Sequence, residues 1–161
     1  MSLNRVVVEA TPSMVFAILV DPEAYPYWVV GTRAIRGWDN EWPAVGSRLH
    51  HRSGLGPLAI EDSSEIKAAE PDRRLTLEVR VGWLGVGIVD VGVQTIGAGD
   101  TTLVTLTETT TGGFLHSVPS AVLQPLLHAR NSLSLRRLAR LGKSRQALLD
   151  HHPGDVQVGN A

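Results

Sequence analysis

The sequence contains no cysteine among its 161 residues. This absence excludes disulfide bonds, thiolate metal sites, iron–sulfur clusters and cysteine nucleophiles. An excess of charge of one sign is also missing, because 15 Lys and Arg residues stand against 16 Asp and Glu residues. A nucleic-acid surface normally requires a basic excess, so we expect no nucleic-acid partner.

Long hydrophobic runs are missing as well. The longest purely apolar run extends from Met14 to Val20, and a helix that spans a bilayer needs about 20 apolar residues. Near the start of the chain, Glu9 interrupts any apolar segment of the kind that a signal peptide requires. We therefore expect a cytoplasmic protein with no stable membrane insertion.

Sequence motifs for cofactors and metals are not found. The chain has no Gly-x-Gly-x-x-Gly after a strand, no P-loop, no His-Glu-x-x-His and no Gly-x-Ser-x-Gly. Adjacent residues of a strand point to opposite faces, so His50 and His51 do not form a metal-binding pair. We expect no cofactor and no bound metal.

The composition and length indicate one globular domain. Hydrophobic residues make up 43% of the chain and charged residues 19%, which is typical of a packed domain rather than a disordered segment. We assign residues 1–150 to this domain. The polar, Gly-bearing residues 151–161 are predicted to form a flexible tail.

The pattern along the chain predicts one strand, two short helices, six further strands and one long helix. Thr11 and Pro12 are typical of the cap and first position of a helix, and Asp21-Pro22-Glu23 predicts a second, short helix that ends near Trp28. Turn residues separate short β-rich segments, which favours antiparallel neighbours. The predicted strands are residues 3–10, 32–38, 47–52, 58–68, 74–81, 86–96 and 101–111.

The last predicted helix covers residue 119 to about residue 149. Its leucines recur at helical spacing and predict one apolar stripe: Leu123, Leu126, Leu127, Leu133, Leu138 and Leu141. These elements predict an α+β fold, in which a curved antiparallel sheet of about seven strands wraps around the long C-terminal helix. A curved sheet cannot contact a cylinder everywhere, so we expect a cavity between the two.

Several motifs resemble a known superfamily. They are Ala10-Thr11-Pro12, Asp21-Pro22-Glu23-Ala24-Tyr25, Trp42-Pro43-Ala44-Val45-Gly46-Ser47, Val104-Thr105-Leu106-Thr107-Glu108 and Arg130-Asn131. From about Val6 to Leu141 the chain resembles the START-like (SRPBCC) superfamily with its helix-grip fold, in particular bacterial single-domain proteins labelled polyketide cyclase/dehydrase-like. The superfamily includes lipid carriers, hydrophobic-ligand receptors, quinone-binding factors and aromatase/cyclases. Fold-level analogy does not choose among these functions.

Strand alternation places Glu108 on the apolar face of its strand, together with Val104 and Leu106. On the last helix we predict Arg130 near the middle of the apolar stripe and Asn131 near its edge. A buried charge normally needs a partner, so we expect Glu108 and Arg130 to meet across the interface between sheet and helix. The pair either anchors a ligand and takes part in acid–base steps, or serves as a structural ion pair.

His51 shares its strand face with Leu49, so we predict that it points inward and titrates near neutral pH. It is a weak catalytic candidate beside Glu108 and Arg130, and it is also explained as an ordinary core histidine. Trp28 is expected to close the two short helices that cap the sheet and to stack on a flat ligand. The complete candidate set for ligand binding is Tyr25, Trp28, His51, Val79, Val91, Leu106, Glu108, Phe114, Leu127, Arg130 and Asn131.

Three functions remain open at this point. The first is binding or transport of a small hydrophobic molecule such as a lipid, a quinone or a polyketide. The second is a polyketide cyclase or dehydratase that uses polar residues in the same cavity. The third is a module that binds a protein partner. The sequence does not indicate the oligomeric state.

Overall fold

The computed structural model describes residues 1–55 and 58–151. Seven strands form one antiparallel sheet in the order β1-β7-β6-β5-β4-β3-β2, so the first strand lies beside the last. The strands are β1 (Ser2–Val8), β2 (Thr32–Trp38), β3 (Arg48–Leu55), β4 (Leu58–Glu70), β5 (Arg74–Val81), β6 (Gly85–Ile96) and β7 (Thr101–Gly112). Register shifts in the β2–β3, β4–β5 and β6–β7 pairs mark irregularities of the kind that bend a sheet.

Helices cover the concave face. The first, α1 (Pro12–Val20), begins as predicted at Thr11, whose side chain accepts a hydrogen bond from the Met14 backbone N–H. The predicted second helix consists of a 3₁₀ turn, Pro22–Ala24, followed by α2 (Tyr25–Trp28). After the sheet come α3 (Phe114–Ser117) and the long α4 (Ser120–His151). The predicted helix-grip architecture is therefore confirmed.

One side of α4 faces the sheet, but its composition differs from the predicted leucine stripe. The buried residues of α4 are Leu123, Leu127, Asn131, Ser134, Leu135, Leu138 and Gly142. The placement of Leu126 and Leu133 on the buried stripe is wrong, because these side chains are 66% and 43% exposed. Asn131 and Ser134 occupy interface positions instead, since both have hydrogen-bond partners on neighbouring elements.

The C-terminal half of α4 packs closely against the solid part of the core. A Cβ atom built on Gly142 would lie 2.7 Å from Val8 Cγ1 and 3.7 Å from Ala10 Cβ. Leu135 and Leu138 belong to the same buried cluster. This half of the helix is thus held by close apolar contact, whereas the segment from Arg130 to Ser134 faces a cavity.

Two sequence predictions concern the ends of the molecule and the membrane. Within residues 1–55 and 58–151, no helix is both long enough and apolar enough to cross a membrane. Of the predicted tail, His151 is the last residue of α4. Residues 152–161 lie outside the described part of the chain.

Candidate ligand-binding cavity

A cavity of about 190 Å³ lies between the concave face of the sheet and helices α2 and α4. An engineered cavity of about 150 Å³ in another protein binds benzene. The volume here therefore suits a molecule of one or two rings. The lining consists of the following residues: Tyr25, Trp28, Val29, Val30, Gly31, Thr32, His51, Ser53, Gly54, Asp62, Ser64, Leu77, Val79, Val81, Val89, Leu106, Arg130, Asn131 and Ser134.

The sheet supplies an aliphatic wall. Leu77, Val79 and Val81 alternate along β5, and Val89 and Leu106 extend the wall across β6 and β7. Side chains two residues apart share one face of a strand, so this wall follows directly from the alternation in the sequence. It provides apolar contact but no hydrogen bonds.

Two aromatic side chains of α2 form part of the lining beside this wall. The ring centroids of Tyr25 and Trp28 are 5.5 Å apart, and those of Tyr25 and His51 are 6.5 Å apart. Burial raises the pKa of Tyr25, so its hydroxyl stays protonated at neutral pH. Among the described residues, neither Tyr25 Oη nor Trp28 Nε1 has a hydrogen-bond partner.

His51 lies inward, as predicted, and forms hydrogen bonds to two serines. His51 Nε2 and Ser64 Oγ are 3.0 Å apart, and His51 Nδ1 and Ser53 Oγ are 3.3 Å apart. Burial lowers the pKa of His51 to about 4, with a smaller contribution from His50. The imidazole is therefore neutral at pH 7, whereas the sequence had predicted titration near neutral pH.

Asp62 is a charged residue of the cavity lining that was not among the predicted site residues. It is the direct cross-strand partner of His51, and Asp62 Oδ1 has no hydrogen-bond partner in the described part of the chain. Burial raises the pKa of Asp62, while the Ser53 hydroxyl and the positive charge of Arg130 act in the opposite direction. A signal was present in the sequence, because strand alternation places Asp62 and Ser64 on the same face as Ile66.

The predicted contact between Glu108 and Arg130 is present at the edge of the cavity. Arg130 Nη2 lies 3.5 Å from Glu108 Oε2, and Asn131 Nδ2 donates a shorter hydrogen bond of 2.6 Å to the same oxygen. The predicted positions of Arg130 and Asn131 relative to the buried stripe of α4 are reversed. Asn131 is buried in the interface, and the Arg130 side chain is 39% exposed. A long arginine side chain can bury its stem and still keep its charge near water. Arg130 and Asn131 line the cavity, whereas Glu108 lies outside the lining and ties β7 to α4.

The other predicted ligand-binding residues divide into two groups. Tyr25, Trp28, His51, Val79 and Leu106 line the cavity with Arg130 and Asn131. Outside the lining, Val91 and Leu127 are buried in the apolar packing, and Phe114 is exposed beside Trp83, with ring centroids 5.8 Å apart. In the part of the chain that the structure describes, no three His, Asp or Glu side chains are grouped so as to hold a metal ion.

The fold and the cavity define an α+β protein of helix-grip architecture, and solved structures share this fold. Protein CV1439 from Chromobacterium violaceum has a TM-score of 0.66 at 16% identity, over 89% of this chain and 99% of that chain. The Aha1 dimer from Colwellia psychrerythraea has a TM-score of 0.65 at 13% identity, over 88% of this chain and 95% of that chain.

A third structure comes from a biosynthetic locus. DynU16, a putative protein in the dynemicin biosynthetic locus, has a TM-score of 0.64 at 22% identity. The match covers 90% of this chain and 48% of DynU16, so the present chain spans about half the length of that protein. No protein-family model and no curated protein match the sequence. At these identities the three structures show the fold alone.

Proposed function

We propose that this chain is a START-like protein that binds a small, largely apolar molecule in the cavity between the sheet and α4. The cavity itself is the observation that carries the proposal. Protein interiors contain few voids larger than a water molecule, and unfilled apolar space lowers stability. A cavity of about 190 Å³ with an aliphatic wall and two aromatic side chains is explained by a ligand that fills it.

Two further observations support the START-like assignment. The helix-grip architecture agrees with the motifs that resemble this superfamily, including the segments that contain Tyr25 and Arg130. Ligand pockets are concave and mostly apolar, with a few polar groups that orient the ligand. The aliphatic wall together with His51 and Asp62 has this composition.

The test is a titration of the protein with toluene, followed by methyl NMR spectra. We expect the methyl resonances of Leu77, Val79 and Leu106 to shift saturably, because their side chains line the cavity. Val79→Phe fills part of the cavity and is expected to weaken toluene binding about tenfold or more, which corresponds to a loss of about 1.4 kcal/mol.

Val7→Phe is the matched control, because Val7 is 53% exposed and lies outside the cavity lining. It should bind toluene like the unmodified protein. If Val79→Phe does not fold, Val89→Phe fills the same space from β6. The proposal is overturned if the lining methyl resonances respond to none of toluene, phenol, the three benzenediols and palmitate.

A second candidate function is an enzyme that acts on a polyketide-like molecule. It is favoured by His51 and Asp62, which lie directly opposite each other on β3 and β4 and both line the cavity. Imidazole and carboxyl groups are the side chains that most often carry acid–base steps. The two functions differ in the fate of a molecule extracted from the purified protein. A binding protein returns that molecule unchanged after incubation, whereas a change in its mass would favour the enzyme.

A further inference from the structure

Three residues that line the cavity each carry a buried polar atom with no hydrogen-bond partner among residues 1–55 and 58–151. These atoms are Tyr25 Oη, Trp28 Nε1 and Asp62 Oδ1, and none of these residues is more than 5% exposed. Buried polar groups in native proteins are hydrogen-bonded with few exceptions, and each exception needs an explanation.

Other buried polar side chains of the same cavity do have partners. Ser64 is hydrogen-bonded to His51, and Asn131 donates to Glu108. Ser134 Oγ donates to the Arg130 carbonyl oxygen and accepts from the Val30 backbone N–H. A fourth unpartnered atom is Gln124 Oε1. Gln124 lies beside the first residues of β1 and does not line this cavity. Among the described lining residues, the buried polar atoms without a hydrogen-bond partner are therefore those of Tyr25, Trp28 and Asp62.

The chemistry of these three groups is complementary. Trp28 Nε1 only donates, the Tyr25 hydroxyl donates and accepts, and an ionised Asp62 only accepts. The Tyr25 ring neighbours both Trp28 and His51, and His51 is the cross-strand partner of Asp62. The groups thus belong to one cluster that offers donors from α2 and an acceptor from β4.

The size of the cavity restricts the ligand further. A volume of about 190 Å³ is close to that of the cavity of about 150 Å³ that holds benzene in another protein. It is below the range of about 300–1,000 Å³ that is typical of pockets for drug-sized ligands. A sterol or a long acyl chain is larger than this volume.

We propose that the ligand is a compact molecule of one or two rings that carries both a hydrogen-bond donor and an oxygen acceptor. Its hydroxyl or amine group donates to Asp62 Oδ1, and its oxygen accepts from Trp28 Nε1 and the Tyr25 hydroxyl. The aliphatic wall contacts the ring. This inference rests on the proposed binding function and names the chemical class of its ligand.

The experiment compares toluene, phenol, the three benzenediols and palmitate by calorimetric or NMR titration. A purely apolar cavity would prefer toluene, because hydroxyl groups lose hydration on entry without gaining partners. We expect the opposite order, with at least one benzenediol binding about tenfold or more tightly than toluene, as about one additional net hydrogen bond implies.

Two variants connect this preference to the named atoms. Tyr25→Phe removes a donor and Asp62→Asn removes the charge of the acceptor, so each is expected to reduce benzenediol affinity about fivefold to tenfold. The preference for a benzenediol over toluene should fall by the same factor in both. Glu61→Gln is the matched control for Asp62→Asn, because Glu61 is the preceding residue of β4 and is exposed.

The outcomes separate the inference from the function on which it rests. If toluene binds in the cavity but no benzenediol binds more tightly, the inference is overturned and the binding function stands. The same holds if palmitate binds most tightly, or if both variants keep the benzenediol preference. If none of the probes binds, the binding function itself is overturned.

Discussion

Individual polar residues in the cavity differ in how their hydrogen-bonding capacity is used. Asn131 and Ser134 connect α4 to other elements, so removing either side chain would leave a partner without its hydrogen bond. Tyr25 Oη has no such partner among the described residues. The same kind of substitution therefore has different consequences at neighbouring positions.

Tyr25→Phe is expected to raise the free energy of unfolding by about 1 kcal/mol, because it removes a buried hydroxyl that is desolvated without compensation. Urea denaturation measures this change. Tyr27→Phe is the matched control, since Tyr27 is 70% exposed, and its effect should stay within about 0.5 kcal/mol. A clear loss of stability in Tyr25→Phe would contradict the prediction and indicate a hydrogen bond that stabilises the fold.

Two kinds of contact hold α4 in place along its length. Near its start, Asn4 Nδ2 of β1 donates to the His128 carbonyl oxygen at 2.9 Å and to Ser132 Oγ at 2.7 Å. Further along, Gly142 brings the helix close to Val8. Polar contacts thus position the segment beside the cavity, and close apolar contact positions the rest.

Gly142→Ala is expected to lower the free energy of unfolding by about 1–3 kcal/mol, the usual cost of overpacking a core. Alanine in a helix interior normally stabilises relative to glycine by about 1 kcal/mol. Here the new Cβ would lie 2.7 Å from Val8 Cγ1, and the fully buried, β-branched Val8 has little freedom to move. Thermal and urea unfolding measure the difference.

Ser144→Ala tests the same helix at an exposed position. It should be neutral or slightly stabilising, because no neighbouring element restricts the alanine. A stabilising effect of Gly142→Ala would show that Val8 adjusts and that the close contact does not determine the position of α4.

Acid is expected to weaken the fold through His51. The pKa of His51 is about 4 in the folded protein, against an ordinary value of 6.5. Between these two pH values the unfolded chain binds a proton that the folded protein does not. Stability is therefore retained above about pH 6.5 and falls by up to about 3 kcal/mol as the pH drops to about 4.

Asp62 acts in the opposite direction, because its raised pKa lets the folded protein bind a proton more readily than the unfolded chain does. The contribution of His51 is therefore isolated by comparing the pH profile of the unfolding free energy between the unmodified protein and a variant changed at His51 alone. His51→Gln should flatten the profile between pH 6.5 and 4. Parallel profiles for His51→Gln and the unmodified protein would contradict the prediction.

Local patterns in the sequence were sufficient to predict most elements and which strand residues point inward. The predicted strands 32–38 and 74–81 agree with Thr32–Trp38 and Arg74–Val81, and Thr11 caps α1 as expected. The inward positions of His51 and Glu108 also followed from alternation. These features depend on local periodicity and capping, which neighbouring residues of the chain specify directly.

Which of these side chains meet at the cavity depends on how the elements pack against one another. His51 and Asp62 lie opposite each other because of the register between β3 and β4. The rotation of α4 over the sheet determines that Asn131, and not Arg130, is buried. The exposure of Leu126 has the same origin. The burial of Asn131 and the exposure of Leu126 arise from long-range packing, in which hydrogen-bond partners on distant elements can outweigh hydrophobicity. No local pattern in the sequence encodes these two features.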